Sequence, residues 1–148
     1  MQGIMRILFA GLLLLSATVL CQDAGVTLRY RNFISRHVGQ VSRDRCDQEM
    51  GSRRLTTISG SNECKATNTF IGATTNRIRS ICGSAGAPYG GTLTRSLQPF
   101  PIVVCELKNQ NARHPHCQYR GRAYTRYIAI QCEQGFPVHF ERDIVSFD

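Results

Sequence analysis

Bulky apolar side chains recur every three to four positions over residues 26–38, where Tyr30, Phe33, Ile34, His37 and Val38 fall on one stripe and Gly39 follows as a stop. The spacing predicts an amphipathic first helix with His37 on its inward side. A second short helix is expected between Ser42 as cap and Gly51 as terminator, with Cys46 inside it. A third is expected over residues 71–81, ending near Cys82 and Gly83. Residues 83–91, with Gly86, Pro88 and Gly90, read as an irregular loop. Beyond it the pattern changes: residues 102–107, 119–131 and 136–140 are rich in β-branched and aromatic side chains and are separated by Asn109, Asn111, Pro115 and Gly135. Helices early and antiparallel strands late place the chain in the α+β class, with three short N-terminal helices packed on a curled antiparallel sheet.

The first residues change the domain boundaries. Arg6 precedes an apolar run over residues 7–15, followed by Ser16, Ala17 and Thr18. This reads as a signal peptide over residues 1–21, too short to span a bilayer, and leaves one domain over residues 22–148. Lipidation at Cys21 is disfavoured because Leu20 stands where a small residue is wanted. Six cysteines remain in a chain bound for an oxidising compartment, so three disulfides are expected. Zinc binding by His114, His116 and Cys117 is the rival use. No Cys-x-x-Cys pair accompanies them, so no metal or other cofactor is expected.

Charge narrows the partners without choosing among them. The chain carries 18 Lys and Arg against 10 Asp and Glu, a formal +8. Such a surface draws RNA, heparin-like polyanions and anionic bacterial membranes alike. Lys65 and Lys108 are the only lysines, so most of the charge sits on arginine, whose fork grips phosphate at two points.

The most specific string is Cys64-Lys65-Ala66-Thr67-Asn68-Thr69-Phe70. It resembles the Cys-Lys-x-x-Asn-Thr-Phe signature of the pancreatic ribonuclease superfamily. Phe33 and His37 on an early helix, the order of the six cysteines, and Pro137-Val138-His139-Phe140 near the carboxyl terminus extend the resemblance over the domain. Taken singly, a histidine on a helical stripe is a packing or surface residue, and a lysine beside a cysteine is a solvated one. The joint match of three separated segments favours a shared site.

The resemblance implies a metal-independent endoribonuclease in which His37 and His139 act as base and acid and Lys65 meets charge on the phosphate. It implies that Thr69 and Phe140 hold a pyrimidine and that Glu133 helps hold the following base. Asn68 belongs to the same signature. The pairs Cys46–Cys105, Cys64–Cys117 and Cys82–Cys132 are implied as well, without the fourth disulfide of the digestive enzymes, as in the angiogenin-like branch and in fish secreted ribonucleases. The family places glutamine where this chain has Arg36, and aspartate where it has Glu141. At Arg142, angiogenin-like members carry a side chain that obstructs the pyrimidine pocket, so modest turnover is expected. Arg53 and Arg54 stand where that branch carries a basic nuclear-targeting and heparin-binding element, with an exposed surface pair as the plainer reading. A secreted monomer acting on RNA is the first expectation, with a cytosolic ribonuclease inhibitor as partner and uptake to the nucleus as further implications. A cationic host-defence or growth-signalling protein, indifferent to RNA cleavage, is the alternative.

Overall fold

The computed structural model describes residues 24–57 and 60–147; the signal peptide expected over residues 1–21 lies outside them. The first helix, α1, covers residues 24–37. Val26, Phe33 and His37 are buried along one stripe, while Leu28 on another face is 61% exposed. The helix stops at Gly39, whose φ of +141° suits glycine rather than an L side chain.

Arg53 closes the end of α1. Its Nη1 donates to the carbonyl oxygens of Ser35 at 3.2 Å and Val38 at 2.7 Å, and its Nε donates to Glu49 at 3.0 Å. The guanidinium lies 4.8 Å from the Phe70 ring centre. A cation at a helix C-terminus satisfies orphan carbonyls and meets the negative end of the dipole. The exposed basic pair expected at Arg53 and Arg54 is thereby corrected: Arg53 is a half-buried cap, and Arg54 alone is exposed.

Helix α2, Cys46–Ser52, follows a 3₁₀ turn at Arg43–Arg45. Ser42 precedes that turn without capping it through its side chain. Gly51 lies inside α2 rather than ending it. The reversal falls at Arg54, with φ 51°, where the Leu55 N–H closes on the Met50 carbonyl at 3.0 Å. Helix α3 is shorter than expected, Thr75–Arg79 with a 3₁₀ turn at Ser80–Cys82, because the Thr74 hydroxyl accepts from the Arg77 N–H at 3.2 Å and caps it there. Ile71, expected to open that helix, instead ends strand β1, Thr67–Ile71. Phe70 and Ile71 are both fully buried, so β1 shows no alternation to read.

The expected loop over residues 83–91 is also corrected, since it contains strand β2, Gly86–Tyr89, paired with β3, Leu93–Ser96. Pro88 is tolerated because β2 is an edge strand. Gly86 is required there, because a Cβ would stand 1.8 Å from the Ile81 carbonyl oxygen. Strands β4 (Phe100–Leu107), β5 (Tyr119–Glu133) and β6 (Phe136–Ile144) complete an antiparallel sheet ordered β1-β4-β5-β3-β2, with β6 also on β5.

β5 is the spine. Over residues 119–126 it pairs with β4, and over 127–133 with β6. Changing partners midway gives the curled sheet two arms with a cleft between them. One core, with Phe33, Ile78, Ile102, Ile128 and Ile130, lies under α1 and α3; a second, with Met50, Leu55, Phe70 and Val103, lies under α2. Disulfides join Cys46 to Cys105, Cys64 to Cys117 and Cys82 to Cys132, closing loops of 59, 53 and 50 residues. Each constrains the unfolded chain by roughly 2–4 kcal/mol. The Cys64 bond also anchors the segment that carries Lys65, and it takes up Cys117, the candidate metal ligand beside His114 and His116.

Candidate active site

The last turn of α1 delivers His37, which is only 8% exposed. Its Nδ1 lies 2.9 Å from the Thr69 carbonyl oxygen on β1. A carbonyl oxygen only accepts, so Nδ1 carries the hydrogen and Nε2 presents its lone pair. The rings of Phe33 and Phe140 stand 5.4 and 5.2 Å away, centre to centre. Burial is the main reason its pKa falls from 6.5 to about 4; the bond to Thr69 opposes the fall, while the charges of Lys65, Arg36 and His139 add to it. The ring is therefore neutral at pH 7.

Lys65 sits just before β1 and donates from Nζ to Asn68 Oδ1 at 2.8 Å. Asn68 in turn donates from Nδ2 to the Arg36 carbonyl oxygen at 2.8 Å. At 2% exposure the amide has its acceptor fixed toward the lysine and its donor toward the helix end. Behind it, the Tyr119 hydroxyl donates to the Lys65 carbonyl oxygen at 2.7 Å, and the Tyr119 N–H donates to Asp47 at 2.6 Å. Burial, helped by Asp47, pushes the Tyr119 phenol up to about 12, so it stays a donor. Burial first and Arg36 second lower the pKa of Lys65 itself.

β6 supplies the opposite wall. Pro137 pairs with Cys132, His139 with Gln131, Phe140 with Ile130 and Arg142 with Ala129. Val138 and Glu141 are thus extra residues, and two bulges bracket His139 and Phe140, re-aiming their side chains. The His139 side chain is 51% exposed, with Nε2 2.8 Å from a Glu141 carboxylate oxygen. Because a carboxylate only accepts, Nε2 carries the hydrogen and Nδ1 is left for proton exchange.

These residues line one cleft of about 520 Å³. Arg36, His37, Lys65, Asn68 and Thr69 stand on one side, and His139, Phe140, Glu141 and Arg142 on the other. Glu133 does not line the cleft; it is ion-paired with Arg29 of α1. The Arg142 guanidinium donates to the Tyr89 hydroxyl on edge strand β2 at 2.8 Å. Thr67, Val104 and Asp143 also line the cleft, unforeseen from sequence. Thr67 and Thr69 share one face of β1, and Val104 pairs directly with Thr69, but no sequence signal gives that register. Asp143 follows Arg142 on β6 and carried no mark beyond its position.

Residues 28–141 match the family described as Pancreatic ribonuclease. The chain belongs to the pancreatic ribonuclease family. Ribonuclease-like 3 of Danio rerio is 35% identical to it, over 97% of this chain and 99% of the relative. Angiogenin-4 of Mus musculus is 39% identical over 80% of this chain and 81% of its own length. The solved structure of zebrafish RNase5 superposes with a TM-score of 0.76 at 46% identity, covering 80% of this chain and 96% of that one. As a member of the pancreatic ribonuclease family, the protein is a pancreatic-type endoribonuclease with RNA as its substrate.

Proposed function

We propose that this ribonuclease is secreted and cuts RNA after pyrimidines, first by transphosphorylation to a 2′,3′-cyclic phosphate and then by hydrolysis. His37 Nε2 takes the proton of the 2′-hydroxyl as its oxygen attacks phosphorus, and His139 protonates the departing 5′-oxygen. The roles reverse when water opens the cyclic phosphate. Lys65 meets the charge that builds on the non-bridging oxygens, and Arg36 adds a second cation near the phosphate. Thr69 pairs with the pyrimidine edge through a hydroxyl able to donate or accept, and Phe140 flanks the base. Glu133 holds the following base only by giving up Arg29. DNA, lacking the 2′-hydroxyl, binds uncut.

The observation that carries this reading is the pair of ring tautomers across one cleft: a neutral imidazole with its lone pair free, and a second imidazole tethered by a carboxylate with a nitrogen free to exchange. A base whose pKa lies near 4 has little proton affinity, which supports modest turnover. Three disulfides support an oxidising, extracellular destination. On a pyrimidine–purine dinucleotide, His37→Ala and His139→Ala should each lower kcat/KM by roughly 10²–10⁴-fold; undiminished rates in both would remove the assignment. The exposed arginines outside the cleft, Arg120 and Arg122 among them, favour a second reading, a host-defence or growth-signalling output independent of cleavage. The His139→Ala protein separates the two, since bactericidal or growth activity that survives it is not catalytic.

A further inference from the structure

We infer that Asp143 selects the pyrimidine, making the enzyme favour cytosine over uracil. The inference rests on the reading of Thr69 and Phe140 as the base pocket. On β6, Phe140 pairs with Ile130 and Asp143 with Ile128. Ile128 and Ile130 stand two apart on β5 and share a face. With Glu141 bulged out of register, Phe140 and Asp143 therefore rise from one side of the sheet. Both line the cleft, while Thr69 and its partner Val104 line it from the other arm. A base flanked by Phe140, with O2 and N3 at Thr69, turns its C4 substituent toward Asp143.

The carboxylate is held for that task. Arg126 Nη1 donates to Asp143 Oδ2 at 2.6 Å, and the Arg126 guanidinium is itself stacked 3.8 Å from the centre of the Tyr124 ring. A carboxylate is an acceptor with about four lone-pair sites, so one bond from Arg126 leaves acceptor capacity for a ligand. Cytosine and uracil differ at N3, which the Thr69 hydroxyl serves in either state, and at C4, where cytosine offers an amino group with two donors and uracil a carbonyl that only accepts. Asp143 accepts from the first and opposes the second. Arg142, the cationic neighbour that would favour the carbonyl, is drawn away to the Tyr89 hydroxyl and lies over that ring at 5.5 Å. Thr69, able to serve either base, does not offset the bias.

The test compares kcat/KM for cytidylyl- and uridylyl-adenosine dinucleotides. The unmodified enzyme should prefer cytidine by about tenfold, far less than a fully buried pair would give because the carboxylate is partly exposed. Asp143→Asn, whose amide both donates and accepts, should bring the ratio close to unity, with cytidine cleavage falling and uridine cleavage rising. A unit or inverted ratio in the unmodified enzyme, or an unchanged ratio in the variant, overturns the inference. Should the variant misfold, inhibition of the unmodified enzyme decides: cytidine 3′-phosphate should inhibit more tightly than uridine 3′-phosphate, and equal inhibition overturns the assignment. Cleavage after purines as readily as after pyrimidines would sink the base-pocket reading itself. Equal cleavage after both pyrimidines, with purines refused, removes only the role of Asp143.

Discussion

His37 and His139 are the same side chain in opposite surroundings. One is 8% exposed at the end of a helix, wedged between two phenyl rings and bonded to a backbone carbonyl. The other stands half-exposed on a doubly bulged strand beside a carboxylate. Desolvation makes the first a neutral ring with one lone pair available, at the cost of proton affinity. The second trades burial for access, so a proton can pass between it, solvent and a leaving group. On the proposed reading, the division between base and acid follows from where each ring sits in the fold, with the helix supplying rigidity and the hairpin reach.

The comparison breaks most visibly in stability against pH. The unfolded His37 ring binds a proton below about 6.5, but the folded ring only below about 4. Between those values the unfolded state holds more protons, so stability falls as pH is lowered through that window and is intact above it. At about 1.4 kcal/mol per unit the loss is on the order of 3 kcal/mol. Urea midpoints at pH 7 and pH 4 should show that much less acid sensitivity in His37→Asn than in the unmodified protein. Equal slopes in the two proteins would mean that burial does not hold His37 neutral.

A smaller effect tests the other ring. Removing the acceptor in Glu141→Ala should lower kcat roughly tenfold, the scale of one charge-assisted hydrogen bond, about 1.4 kcal/mol. Glu141→Gln, which keeps an acceptor oxygen, should recover most of it. A change confined to KM would instead assign Glu141 to binding.

How far the sequence reached follows the same division. The meeting of His37, Lys65 and His139 in one cleft is legible because each lies in a local string whose residues also pack: the Phe33 and His37 stripe, the Cys64 to Phe70 run, and the Pro137 to Phe140 segment. Strand β1 is not legible as far as Ile71 because it is buried on both faces and loses the period of two. Strand β2 was hidden by Gly86 and Pro88, which mark loops unless an edge position and a close carbonyl require them. Arg53 reads as surface charge, since nothing local says that carbonyls at a helix end fifteen and eighteen residues back need hydrogen bonds. Val104 and Asp143 belong to the cleft only through strand register and the meeting of two sheet arms, which no short stretch encodes.

The finest distinction concerns what keeps His37 neutral. Burial is the leading cause of its lowered pKa, and the charge of Arg36 is a lesser one. Arg36 is exposed, so water and salt screen it. The acid limb of kcat/KM reports the free enzyme's base and should fall near pH 4. Arg36→Gln removes one neighbouring positive charge and should move that limb upward by only about 0.3 unit, the scale of a screened surface charge. Raising the salt should move the unmodified enzyme the same way and the variant less. A shift of a full unit or more would make charge rather than desolvation the agent that sets the base, and the contrast between a buried ring and an accessible one would then lose its physical cause.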